Sequence, residues 1–130
     1  MIDLYIDADA LPNILKPILL RAIDKQKIQT FVVSNKKVSI GTSNYINYIV
    51  VSAGADEADN HIVELLKEGD LVITADIPLA DRVISKNAHA IDHRGELYTE
   101  DNIKNYLAMR DLMQSIRDSG EVTKGPKPFG

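Results

Sequence analysis

Short apolar runs alternate with segments of helical period along this chain, and that alternation constrains its fold more than any other feature. Ile2, Leu4 and Ile6 alternate with polar or amphipathic neighbours and stop at Asp7, the pattern of a first strand ending in a loop. Pro12 then opens a helix on which Ile14, Leu15, Ile18, Leu19, Ala22 and Ile23 recur at helical spacing to about Lys25, with Pro17 in its early turns. Residues 28–33 and 48–51 predict the second and third strands, joined by an irregular or partly helical connection. Ala55, Ala58, Ile62, Leu65 and Leu66 mark a helix that stops at Gly69, a residue suited to the left-handed conformation after a helix end. The strand at 71–74 is continuously apolar, as suits a central parallel strand covered on both faces. A helix at 78–86, a fifth strand at 88–91 and a long helix at 100–117 complete the pattern. Strands joined by crossover helices predict an α/β fold with one parallel sheet wound on both faces.

A chain of 130 residues with 45% hydrophobic and 26% charged residues has the size and balance of one globular domain. The expected domain covers 1–118, while 119–130 carries three Gly and two Pro without periodicity and reads as a tail. There is no Cys, which removes disulfides, thiolate metal sites and cysteine nucleophiles. A net charge of -4 argues against coating nucleic acid through bulk positive charge. Met1 leads straight into the first strand with no basic or signal-like segment, the pattern of a cytoplasmic protein. No apolar stretch approaches the roughly 20 residues that span a bilayer, so no membrane association is expected. Neither a P-loop, a GxGxxG nor a GxSxG occurs, so no organic cofactor and no serine nucleophile are expected. His61, His89 and His93 make no metal motif, and their default is structural or exposed.

The acids are unevenly typed: 13 are Asp and 6 are Glu, although Glu is the better helix former. Asp7 and Asp9 follow the first strand, Asp76 the fourth and Asp92 the fifth, at the carboxyl ends that form the ligand crevice of an open parallel sheet. Asp56 and Asp59, three residues apart in the first turn of the helix after the third strand, approach the same edge. Carboxylates gathered this way repel one another and need protonation, basic partners or a cation. Mg2+ or Mn2+ fits best, because these ions prefer oxygen ligands, keep water and can activate it against a phosphoryl group. The expected chemistry is hydrolysis of a phosphodiester, with Asp7 and Asp76 catalytic and Asp7, Asp9, Asp56, Asp59, Asp76 and Asp92 as metal ligands. Arg94 is a candidate phosphate grip, and Ser34 and Asn35 at the end of the second strand are further candidate substrate contacts.

Each of these Asp residues also has a bland explanation. Asp9, Asp56 and Asp76 precede helices and suit N-caps, Asp59 is a first-turn acid favoured by the helix dipole, and Asp92 starts an ordinary turn. Asp7 is the least explained in this way. Asp3 and Asp70, at the opposite ends of their strands, serve as controls without a site role.

The motifs IDADALP at 6–12, GADEADNHI at 54–62, GDLVITADIPLA at 69–80, HRGELYT at 93–99 and GPKPF at 125–129 resemble the YaiI/YqxD family of small, largely uncharacterised bacterial proteins, related to the PIN-like nuclease fold. The resemblance covers nearly the whole chain. It implies a PIN-like three-layer sandwich with strand order 3-2-1-4-5 and a metal-dependent, ribonuclease-like site with RNA as partner. Asp7 resembles that fold's acid after the first strand, Asp56 or Asp59 its helix-borne acid, and Asp76 and Asp92 its later acids. The chain departs from the family at Leu11, where Cys is frequent, and at His93, where Pro is frequent. Two other readings stay open: a catalytically inactive metal- or RNA-binding domain, and a DxD aspartyl phosphatase or phosphotransferase with Asp7 as nucleophile and Asp9 as general acid/base. Oligomeric state is not legible in the sequence.

Overall fold

The structure, a computed structural model, describes residues 2–9, 11–54 and 56–119. In chain order the elements are β1 (Leu4–Asp7), α1 (Leu15–Gln26), β2 (Thr30–Ser34), β3 (Ile46–Val50), α2 (Glu57–Leu65), β4 (Leu71–Ile73), α3 (Ile77–Ser85), β5 (His89–Ile91), β6 (Leu97–Tyr98) and α4 (Glu100–Ser119). Strands run β3-β2-β1-β4-β5-β6 across one sheet, parallel except for β6, which pairs antiparallel with β5. The α/β class and the 3-2-1-4-5 order are as expected. The sixth strand is an addition, turned back by a hairpin in which Gly95 takes a φ of 88°.

Alternation along β1 divides the core into two layers. Leu4 and Ile6 face the layer with Val32, Ile73 and Ile23 of α1, whereas Tyr5 faces Val33, Val72, Ile62 of α2, Leu79 and Val83 of α3, and Ile103 of α4. Helices therefore cover both faces of the sheet, giving the three-layer sandwich. The order reverses between β1 and β4, because the chain builds outward to β2 and β3 on one side and then to β5 on the other. This is the switch point, and the crevice opens at the carboxyl ends there.

Local chemistry sets the element ends. α1 starts at Leu15 and not Pro12, because Asn13 and Ile14 form a turn first. Pro17 is then its third residue, where a backbone N–H has no intrahelical partner to lose. Lys27 ends α1 in the left-handed conformation, its N–H donating to Ile23 O. The connection after β2 is irregular and contains no helix. It is pinned where Ile40 N donates to Tyr48 Oη (3.1 Å) and Tyr48 Oη donates to Gly41 O (2.5 Å). Ala55, expected on the apolar face of α2, lies outside the described residues, as does the expected tail apart from Ser119 at the end of α4. Among the described residues no helix is long and apolar enough to cross a membrane.

At the end of the sheet away from the crevice, Asp70 is buried and its two carboxylate oxygens accept from Asp3 N (3.0 Å) and Lys67 N (2.9 Å). Asp70→Ala leaves both amides without their acceptor, so unfolding by urea is expected to show a loss of about 2 kcal/mol. A variant as stable as the parent would show that these two bonds contribute nothing net.

Candidate functional site

A cleft of about 370 Å³ opens at the switch point, lined by Asp7, Asp9, Asp56, Asp59 and Asp76 together with Asn35, Gly54, Ala58, Ala75 and His93. Five of the six predicted ligand positions thus meet in one crevice. No Lys or Arg is among the described residues that line it.

Each acid is held by its own element. Asp7 ends β1, and its Oδ2 accepts from Thr74 Oγ1 at 2.7 Å. The same hydroxyl accepts from Asp76 N at 2.9 Å, so one buried Thr at the end of β4 links the two central acids. Asp76 is the N-cap of α3, its Oδ1 accepting from Leu79 N at 2.9 Å, with Pro78 in the first turn. Asp9 caps no helix; its Oδ1 accepts from Ser34 Oγ and Asn35 N, both at 2.8 Å, tying the loop after β1 to the end of β2. Ser34 is buried and supports Asp9, and only Asn35 of that pair reaches the cleft wall. Asp56 sits at the N-cap position of α2 with a φ of 66° and no side-chain cap bond, and Asp59 lies in the first turn.

The electrostatics match a group of like charges without a counterion. Burial raises the Asp7 carboxyl above its usual range; the Thr74 hydroxyl opposes this, and the charges of Asp9 and Asp76 add to it. Burial pushes Asp59 up to about 6, reinforced by Asp76, Asp7 and Asp56 against a weaker pull from Arg82. The donors are the hard oxygens that Mg2+ or Mn2+ prefers. Among the described residues, however, no set of three or more acidic or imidazole side chains is arranged to hold an ion. The fit is therefore to an ion held by one or two carboxylates, with water and substrate phosphate completing its shell.

Asp92 stands apart. Its Oδ1 accepts from Arg94 N (2.8 Å) and Glu96 N (2.9 Å), and its Oδ2 pairs with Arg94 Nη2 at 3.2 Å. Burial alone would raise its carboxyl, but those amides and the guanidinium outweigh burial and hold it below the usual range. It lines a neighbouring hollow of about 350 Å³ with Arg94, Ile77, Tyr98 and Tyr106, which shares Ala75 and His93 with the acidic cleft. Two contributors escaped the sequence reading. Thr74 carried a signal, a hydroxyl closing an apolar central strand directly before Ala75-Asp76. His93 carried none, since nothing in its neighbours placed it between two hollows.

Fold and crevice together define an open-sheet α/β protein with an acidic pocket at its switch point. The model of the "Uncharacterized BCR, YaiI/YqxD family" matches residues 5–130, and the chain belongs to that family. It is 73% identical over 126 residues to a UPF0178 protein of Sulfurimonas denitrificans, covering 97% of this chain and 83% of that one. Similar proteins include a UPF0178 protein of Sulfurovum sp., 65% identical over 98% of this chain and 86% of that one. Another, from Nitratiruptor sp., is 67% identical over 97% of this chain and 83% of that one. No solved structure matches the chain.

Because the Asp59 pKa is raised from 3.8 to about 6 on folding, the folded state holds the extra proton between those values, and stability falls as pH rises through that window. Asp59→Asn removes the charge. It is expected to stabilise the metal-free protein at pH 7 by about 1 kcal/mol after allowance for solvent screening, and by nothing below pH ~3. Urea unfolding at both pH values checks this; equal stability of the two proteins at pH 7 would mean that Asp59 is not strained by its neighbours.

Proposed function

We propose that this protein is a Mg2+- or Mn2+-dependent nuclease that hydrolyses phosphodiester bonds, with RNA as its substrate, on a PIN-like scaffold. The observation that carries the reading is the convergence of five aspartates, brought from the β1 end, the start of α2 and the β4–α3 junction, into one cleft whose described lining has no cationic side chain.

Asp7, at the end of β1, and Asp76, at the N-cap of α3, are the central pair, linked through the Thr74 hydroxyl, which bonds the Asp7 carboxylate and the Asp76 backbone amide. They provide the carboxylates for the ion, with Asp59 and Asp56 facing them from α2 and Asp9 braced against β2. When bound, the ion supplies an activated water and offsets charge on the phosphoryl oxygens. Asn35, at the cleft wall, contributes an amide to orient the substrate, and Arg94 lies along the adjacent hollow as a phosphate contact. The raised pKa values of Asp7 and Asp59 make ion binding compete with protons, so affinity rises with pH, for Asp59 through about 6. The aspartyl phosphotransferase reading is weaker, because its mechanism wants a Lys at this edge and the described lining has none.

Purified protein is expected to cleave single-stranded RNA when Mn2+ is added, and Mn2+ is expected to raise its Tm. Asn keeps an acceptor oxygen for both the Thr74 hydroxyl and the Leu79 amide, so Asp7→Asn with Asp76→Asn retains the fold. The double variant should lose about a hundredfold or more in cleavage rate and lose the Mn2+ shift in Tm. Cleavage that persists in the double variant sinks the assignment. A Tm shift in the parent without cleavage of any RNA leaves a metal-binding domain.

A further inference from the structure

Beside the acidic cleft lies a compartment of different chemistry. It is walled by Ile77, Tyr98 and Tyr106, has the Arg94 guanidinium at its rim, and shares His93 and Ala75 with the cleft. Tyr98 and Tyr106 meet edge to face with ring centroids 5.8 Å apart at 82°, which fixes both rings. Tyr106 is 36% exposed. His93 Nε2 is fully buried and, among the described residues, is the one buried side-chain polar atom without a hydrogen-bond partner. Arg94 is 76% exposed, and its bonds to Asp92 (3.2 Å) and Glu96 (3.3 Å) are of the surface kind that exchange readily for a phosphate.

We propose that this compartment is a nucleobase subsite, so that the substrate of the cleft is a single-stranded nucleic acid whose base unstacks into the Tyr98–Tyr106 hollow. The inference rests on the nuclease reading of the neighbouring cleft and specifies its substrate. A ligand spanning both compartments has to be anionic where an ion bridges it to the aspartates, and flat and apolar where it meets the tyrosines. A nucleotide joins those two properties in one unit. A purely anionic ligand leaves the tyrosine hollow unfilled, and a purely apolar one leaves the ion-binding cleft unmatched. Bases stack on aromatic rings with little regard to sequence, because every base has a π-face. Arg94 at the rim then contacts backbone phosphate, and the His93 ring, which lines both compartments, borders the base. A base held in a duplex cannot reach the hollow without leaving its stack.

AMP and ribose 5-phosphate, neither of which has a phosphodiester to cleave, separate base from phosphate. With Mg2+ present, calorimetry should show AMP binding about tenfold or more tightly than ribose 5-phosphate. NMR should show AMP moving the ring resonances of Tyr98, Tyr106 and His93. Tyr106→Ala should abolish the advantage of AMP and Tyr106→Phe should keep it. Tyr106 is chosen because Tyr98 is buried and its loss threatens the fold. Equal affinities, no binding of AMP, or an advantage that survives Tyr106→Ala overturns the subsite. Base discrimination without Mn2+-dependent RNA cleavage keeps the subsite and removes the nuclease; cleavage without discrimination does the reverse.

Discussion

The crevice depends on a hydroxyl group. Thr74, fully buried just after β4, donates to the Asp7 carboxylate and accepts from the backbone amide of Asp76, so it ties one acid to the main chain that carries the other, although electrostatics alone would drive the two apart. That geometry follows from the parallel register in which Ile6 lies beside Ile73, which sets the next residues, Asp7 and Thr74, side by side. A slip of one residue would turn the apolar side chains of β1 to the wrong layers, so burial of Leu4, Tyr5 and Ile6 enforces the register that the acids need. Core packing and site geometry are therefore one constraint. The same residue type behaves differently at the far end of the sheet, where Asp70 meets two backbone amides and is a structural anchor.

The architecture was legible because period-2 and helical-period segments alternate and because a parallel strand needs a crossover. The resemblance to a known family supplied the strand order. What escaped has local causes. β6 is two residues long, too short to show any period, and its turn, which the sequence did show, was read without the strand it returns. The start of α1 was misplaced because Pro12 suits a first helical turn as well as the turn that actually precedes the helix. β3 begins at Ile46, and the irregular connection before it is shaped by Tyr48, a strand residue whose hydroxyl binds backbone 7 and 8 positions earlier. Contacts of that kind leave no trace in hydrophobic spacing.

For the site, topology did most of the work: β1 and β4 are neighbours at the switch point, so Asp7 at the end of one and Asp76 at the helix cap just beyond the other meet at the same edge. Asp59 follows because the first turn of α2 lies over that edge. The rest depended on side-chain geometry. Asp9 turned out to brace β2 through Ser34 and Asn35, which moved Ser34 from a candidate substrate contact to a buried support. Thr74 could have been noticed, and His93 could not, because its position between two hollows is created by the hairpin that carries β6.

A ligand role competes with capping at Asp76 and with an ordinary turn at Asp92, and the two residues show when the opposition is real. A carboxylate has two oxygens and about four lone-pair sites. Asp76 uses Oδ1 for one amide of α3 and still lines the cleft, so a cap is compatible with a second partner. Asp92 gives Oδ1 to two amides and Oδ2 to a guanidinium, and its lowered pKa reflects a charge already answered by its own turn. Asp59 is the opposite case, a half-buried carboxyl whose neighbours raise its pKa to about 6. The acids that look unfinished in this way, and not simply those nearest the crevice, are the ones with charge left over for a ligand.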